Sequence, residues 1–229
     1  MKTFYLTTAM LLFGLLSFGQ SDSTKTNNKQ FLTYYGLQVP DISELNSVLG
    51  LSNYPQLNSN NFSVGLGMVK FSRKKIVFQQ ELFVYSQSRK NDSITSSIRT
   101  ISFGQSLFGY SYVNNKKFQM YSSFGLTYMS TTVKVIKEIP SSTQYNQYAS
   151  SIGNQLEMTS NNFMADVTTH LTYSIKMPDT KNRLILGIRA AYYLPFENSK
   201  WTMNKTKLDN GPNTNPGGYS LNFVLGFSY

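Results

Sequence analysis

The chain has 229 residues, with 21 Lys and Arg against 11 Asp and Glu, a formal net charge of +10, and no cysteine. Without cysteine it can build no disulfide framework, no thiolate metal site and no cysteine nucleophile. The basic balance would suit a nucleic-acid partner, but the N-terminus argues against one.

Met1-Lys2 is followed by an apolar run from Thr3 to Phe18, with small residues at Ser17 and Gly19. That is the pattern of a secretory signal peptide over residues 1–19, cleaved before Gln20. The run is short for a spanning helix. Export leaves a chain of charge +9 in an envelope compartment and argues against nucleic acid. Residues 20–29, rich in Ser, Thr, Lys and Asn, read as a flexible lead-in. The remainder, 30–229, contains no apolar run long enough for a membrane helix, so a membrane-embedded form must be a closed barrel.

Period-two segments bounded by turn residues predict eight strands, at 30–39, 61–71, 76–88, 98–112, 117–133, 161–176, 183–196 and 218–229. Most exceed the about 9–11 residues that a tilted strand needs to cross a bilayer. Their connections alternate. The turns at 72–75, 113–116 and 177–182 are short, whereas those at 40–60, 89–97, 134–160 and 197–217 are long. Short periplasmic turns and longer outer loops are the rhythm of small outer-membrane barrels.

The last strand shows the pattern most clearly. Tyr219, Leu221, Phe223, Leu225, Phe227 and Tyr229 share one face, and Ser220, Asn222, Val224, Gly226 and Ser228 the other. Pairing tests agree with this. Centring the sixth hairpin on Pro178–Lys181 sets His170 opposite Arg189, and a turn at Asn114-Asn115 sets Ser106 opposite Ser123. The apolar faces are expected to meet lipid and the polar faces to line the interior. Parity alone also permits a soluble barrel with its apolar face inside. Aromatic residues near strand ends (Tyr34, Tyr35, Tyr112, Tyr128, Tyr192, Phe196, Tyr219 and Tyr229) favour lipid girdles. Strands three and four are the weakest, because Gln80 and Gln105 fall on otherwise apolar faces.

The short turns and their flanks carry Lys70, Arg73, Lys74, Lys75, Lys116, Lys117, Lys176, Lys181 and Arg183 against Asp179 alone, while the long loops are together near neutral. The basic excess therefore sits at the periplasmic rim, where it can meet lipid phosphates.

Four strand residues, Glu81, Asp166, His170 and Arg189, are candidates for a lumenal polar network, with Arg99 as a fifth interior charge. Buried charges need partners. An eight-stranded barrel is just wide enough for its own side chains to fill, so packing outweighs a pore. His170 is the sole histidine. Asp166 lies about 13 Å along the same strand and cannot orient its ring. In the first long loop, Asp41 and Glu44 resemble a capping box, Gly50 supplies a terminator, and Ile42, Leu45 and Leu49 share a helical face. A short helix is expected there, either covering the outer mouth or contacting a partner or lipid. Gly65 and Gly67 read as small residues facing a crowded lumen, and Trp201 as an interfacial anchor. No zinc, calcium or nucleotide motif is present, and no catalytic, cofactor or metal residue is expected.

Strand number, loop alternation, signal and terminal aromatic strand together resemble the eight-stranded outer-membrane barrels, both OmpA/OmpX-type and the secretion-associated barrel-domain family. The resemblance implies an all-β, antiparallel up-and-down transmembrane barrel in the outer membrane, with a short helix in the first outer loop. It further implies a non-enzymatic protein that serves envelope structure or binds a partner through its outer loops. Outer-membrane lipids, and an envelope or secretion protein, are the expected partners, and a monomer the expected state. Two alternatives stay open. Lipid A deacylases are similar small barrels that use a histidine, a serine and an acid, so a lipid-modifying enzyme centred on His170 is one, although Thr172 stands where a serine would be needed. A narrow channel is the other.

Overall fold

The computed structural model describes residues 29–72, 75–138, 155–178, 182–209 and 211–229. The expected signal peptide, most of the lead-in, the tips of the first and third short turns and the centre of the third long loop lie outside them. In chain order the elements are β1 (Lys29–Asp41), α1 (Ser43–Leu51), β2 (Asn61–Phe71), β3 (Val77–Asn91), β4 (Ile94–Asn114) and β5 (Phe118–Lys137). They continue with β6 (Gln155–Lys176), β7 (Arg183–Pro195), β8 (Trp201–Met203), β9 (Thr206–Lys207) and β10 (Asn215–Ser228).

Antiparallel pairing runs β1 to β7 in sequence order, then β7 to β10 and β10 back to β1, which closes a ring of eight. Closure matters because every backbone group in hydrocarbon must be satisfied by a neighbouring strand. β10 is the strand expected at 218–229, and it buries every second residue from Ser220 to Ser228. Its partner residues Tyr219, Leu221, Phe223 and Phe227 stand exposed, as do Phe62, Leu66, Leu82, Ile188 and Leu194 around the ring. The apolar parity therefore faces outward, and the inverted, soluble arrangement is not the one formed. Tyr229 donates its backbone N–H to Lys29 O at 3.1 Å, which puts it at the rim of the short turns with Lys75, Lys116, Lys117 and Lys176.

His170 pairs with Arg189 as expected. The β4–β5 register departs from expectation, because Ser106 meets Gly125, and Ser123 meets Gly109. Irregularities between Ser106 and Phe108 and between Ser111 and Val113 insert extra residues into β4. The turn also closes one step later than Asn114-Asn115, with Asn115 Oδ1 accepting the N–H groups of Lys117 and Phe118 at 3.0 and 2.7 Å. One bulge turns Leu107 and Phe108 outward together, restoring an apolar exterior below a strand that would otherwise change face.

β4, β5 and β6 contain 21, 20 and 22 residues, about twice what crossing requires. Their surplus rises beyond the outer rim. Arg99 lies in that part of β4 on the exposed parity, between buried Ile98 and Thr100, so it is no lumenal charge.

Candidate functional site

The lumen is packed in layers. Near the periplasmic rim, Leu32, Val69, Phe71, Val77, Ile185 and Val224 join Tyr34, Phe83 and Tyr121 in one apolar cluster. The inward faces are thus not uniformly polar. Tyr34, expected in a lipid girdle, is fully buried inside and stacks on Phe83 at 5.1 Å. Gly65 and Gly67 make room for this layer: a Cβ at Gly67 would lie 2.5 Å from Tyr34 Oη, and one at Gly65 2.5 Å from Phe83 Cδ1.

Within and above it runs the charged network. Glu81 on β3 and Arg189 on β7 reach across the lumen and pair bidentately, Nε to Oε1 at 2.7 Å and Nη2 to Oε2. Arg189 Nη1 also donates to Ser220 Oγ at 2.9 Å and Asn222 Oδ1 at 3.2 Å, and Nη2 to Tyr193 Oη at 3.0 Å. Asn222 Nδ2 carries the chain on to Ser63 Oγ at 2.9 Å. The guanidinium carbon sits 4.6 Å from the Phe83 ring centroid. A planar fork suits such a site, because five donors can be met at once while the ring faces shield the charge.

His170 joins this network. Its ring stacks on Tyr121 at 4.5 Å, and its Nε2 lies 3.1 Å from Gln79 Nε2 and 3.6 Å from Glu81 Oε1. Its Nδ1, Tyr34 Oη, Tyr121 Oη and Thr172 Oγ1 are buried without a hydrogen-bond partner. Asp166 is lumenal but separate, accepting from Thr127 Oγ1 at 2.8 Å. Glu81, His170 and Arg189 therefore meet, while Asp166 sits one layer further out. No acid orients the imidazole toward Thr172: the carboxylate in reach, Glu81, is engaged by Arg189. Among the described residues no group of three or more His, Asp or Glu is placed to hold a metal ion.

The outer mouth carries a second core that the sequence only partly foreshadows. Ile42 at the N-cap of α1 and Leu45 and Leu49 within it pack with Leu57, Ile98 of β4, Val133 and Val135 of β5, Met158 of β6 and Trp201 of β8. The surplus lengths of β4 to β6 thus form the walls and α1 the lid. Asn46 fastens the lid by exchanging hydrogen bonds with the Leu57 backbone at 2.8 Å each, and Glu44 accepts from Asn213 N at 2.7 Å. Glu44 is therefore not a capping-box partner. Instead Asp41 Oδ1 receives the Ser43 N–H and hydroxyl, at 3.2 and 2.7 Å. Gly50 lies inside the helix, and the left-handed residue beyond its end is Asn53, at φ 57°.

Trp201 is not the interfacial anchor expected of it. It is 1% exposed, and its Nε1 donates to Pro212 O at 2.7 Å. β8 holds it in place by pairing with β6 at Thr159 and Ser160. A lone tryptophan in a long loop gives no period to read, so burial there is invisible without the walls.

A closed antiparallel ring with an apolar, aromatic exterior and a packed interior defines an integral membrane β-barrel. Eight strands, short basic turns at one rim and long excursions at the other make it an outer-membrane barrel of OmpA/OmpX-type architecture, and the outer membrane its location. Neither a protein-family model nor a curated protein matches the sequence. Among solved structures, it is similar to Ail, the attachment invasion locus protein of Yersinia pestis, in complex with the heparin analogue sucrose octasulfate. The two are 12% identical over 88% of this chain and 96% of that one, with a TM-score of 0.46. Neisserial surface protein A is 13% identical over 87% and 94%, with a TM-score of 0.43. The N-terminal β-barrel domain of Pseudomonas aeruginosa OprF is 12% identical over 88% and 98%, at 0.41. At these identities the likeness concerns the fold alone.

Proposed function

We propose that this chain is a non-enzymatic outer-membrane barrel with a sealed lumen, whose capped outer end presents a rigid surface to an envelope or secretion partner. The observation that carries this reading is the double closure. The Glu81–Arg189 pair spans the lumen, and the Trp201 core fills the outer mouth. Both are made from the barrel's own side chains. A lid held by Asn46 and Glu44 offers a binding partner a preorganised face, which lowers the entropy lost on association. At the opposite rim, the basic turns contact lipid phosphates and fix the barrel's depth.

The channel and enzyme alternatives give opposite results in simple assays. The intact protein in planar bilayers is expected to leave conductance at the lipid baseline; regular single-channel steps would overturn the sealed-lumen reading. Mass spectra of outer-membrane lipids are expected to be unchanged in His170→Ala, and a lost lipid modification would make this an enzyme. Pull-down of the detergent-extracted barrel should recover a stable partner that is lost when the α1 loop is replaced. No partner, together with no envelope defect on deletion, would defeat the binding role.

A further inference from the structure

Between the periplasmic rim and Glu81 the walls of the lumen differ. Leu32, Val69, Val77, Ile185 and Val224 make much of it apolar, whereas the β5–β6 wall presents Gln119, Tyr121, His170 and Thr172 inward. Eleven buried side-chain polar atoms among the described residues lack a hydrogen-bond partner, and eight of them lie in this stretch. Their residues are connected. At the rim, Arg183, Ser228 and Gln30 are neighbours in register across β7, β10 and β1, and Arg183 Nε, Ser228 Oγ and Gln30 Oε1 are all unpaired. Gln30 Nε2 donates to Gln119 Oε1 at 2.5 Å, and Gln119 is tied to the short turn through Asn114 Oδ1 at 3.1 Å. Thr172 stands opposite Gln119, and His170, one pleat further in, stacks on Tyr121. Gln79 from β3 and Tyr34 from β1 close on the His170 ring. Thr172 Oγ1, Tyr121 Oη, His170 Nδ1, Tyr34 Oη and Gln79 Oε1 are the other five unpaired atoms. Gln79 Nε2 can only donate, so His170 Nε2 accepts from it and the ring proton sits on Nδ1, a buried N–H with no acceptor among the described residues. The series ends at Glu81, whose Oε1 lies 3.6 Å from His170 Nε2.

We propose that these groups bind a file of internal water molecules that enters at the periplasmic rim and ends at Glu81. Buried donors and acceptors are costly unless paired, and water is the usual partner where the chain supplies none. The chemistry of the set selects water over an ion. His170 Nδ1 and Arg183 Nε donate, the two glutamine oxygens accept, and the three hydroxyls and the phenols do either. A cation satisfies only the acceptors and an anion only the donors, whereas water serves both. Spacing agrees, since successive inward side chains on one strand start about 6.6 Å apart, a gap one water spans with two hydrogen bonds of about 2.8 Å. The file has a single entrance, because the Trp201 core fills the outer mouth with apolar side chains. Glu81 is thereby solvated from one side, which lowers the cost of holding its charge against Arg189 inside the barrel. The inference extends the sealed-lumen reading and fails separately from it: a barrel without the file still gives no conductance, and a conducting barrel still binds water.

Radiolytic hydroxyl-radical labelling of the intact barrel in detergent, read by mass spectrometry, tests this, because radicals formed from a bound water attack the side chains it touches. Trp201 is the internal control: indole reacts readily, but here it is 1% exposed and packed in the apolar outer core. Tyr121 and His170, both fully buried, are expected to label at about ten times the rate of Trp201 or more. Gln30→Leu with Gln119→Leu makes the rim end apolar and should cut labelling at Tyr121 about fivefold or more, whereas Asn61→Leu, in the outer half, should leave it within about twofold. The heat-dependent gel mobility shows that each variant still closes its barrel. Labelling at Tyr121 and His170 no faster than at Trp201, labelling that survives the double glutamine change, or an equal loss from Asn61→Leu would each overturn the proposal. So would a crystal structure with an ion or a lipid chain, in place of water, against His170 Nδ1.

Discussion

Replacing Glu81 by Gln tests the lumenal network most directly, because the change is nearly isosteric. Arg189 is fully buried and makes five hydrogen bonds, two of them to Glu81. With an amide at position 81, one of those two becomes a donor facing a donor, and the guanidinium loses its counter-charge. Removing one partner of a buried pair costs about 3–5 kcal/mol, because the other charge remains desolvated. That range lowers the folded-to-unfolded ratio by about 10²–10⁴. Adding Arg189→Met removes the stranded charge, so the double variant should regain at least about half of the loss despite leaving Ser220, Asn222 and Tyr193 without their donor. The assay is reversible urea unfolding in phospholipid vesicles, scored by the heat-modifiable gel band. A single variant within about 1 kcal/mol of the parent, or a double variant less stable than the single one, would refute the reasoning.

Other perturbations separate the lipid face, the lumen and the cap. Phe223→Arg, at the centre of the outward face of β10, should destabilise the barrel by about 2–4 kcal/mol in vesicles; a cost near zero would mean that the residue does not face lipid. Gly67→Val should lower the urea midpoint sharply, since even its Cβ would lie 2.5 Å from Tyr34 Oη, and overpacking of this kind costs about 1–3 kcal/mol or more. Trp201→Ala should cost the outer core about 3–5 kcal/mol and open the α1 loop to protease, while the heat-dependent mobility of the barrel persists. Simultaneous loss of both readouts would show that cap and ring are not separable.

Much of the ring was legible because a strand's two faces report their surroundings every second residue. The aromatic face from Tyr219 to Tyr229 follows from that period alone, and His170 opposite Arg189 from the period together with the turn at Pro178–Lys181. The period fails where a residue is inserted. The irregularity before Phe108 shifts the later part of β4, so Ser106 and Ser123 no longer meet. It also cannot tell lipid from lumen for a tyrosine, which is why Tyr34 was assigned to the girdle although Gly67 opens space for it inside. Arg99 shares the parity of Ile101 and Phe103, so the period itself turns it outward, in the part of β4 that runs past the rim. In the candidate site, residues of the right type were visible one by one. Their grouping was not, since Glu81 and Arg189 are 108 residues apart and meet only once the ring closes.

That separation also orders the assembly of the molecule. The ring closes by pairing β1 with β10, so no strand set is complete until the C-terminal strand is in place. The outer core draws on α1, β4, β5, β6 and β8, segments that must cross the bilayer before they can pack together. Trp201 is the chain's only tryptophan, and it belongs to that core. Its fluorescence is therefore a clock for the final step of biogenesis on the far side of the membrane, one that a gel shift timing ring closure does not read.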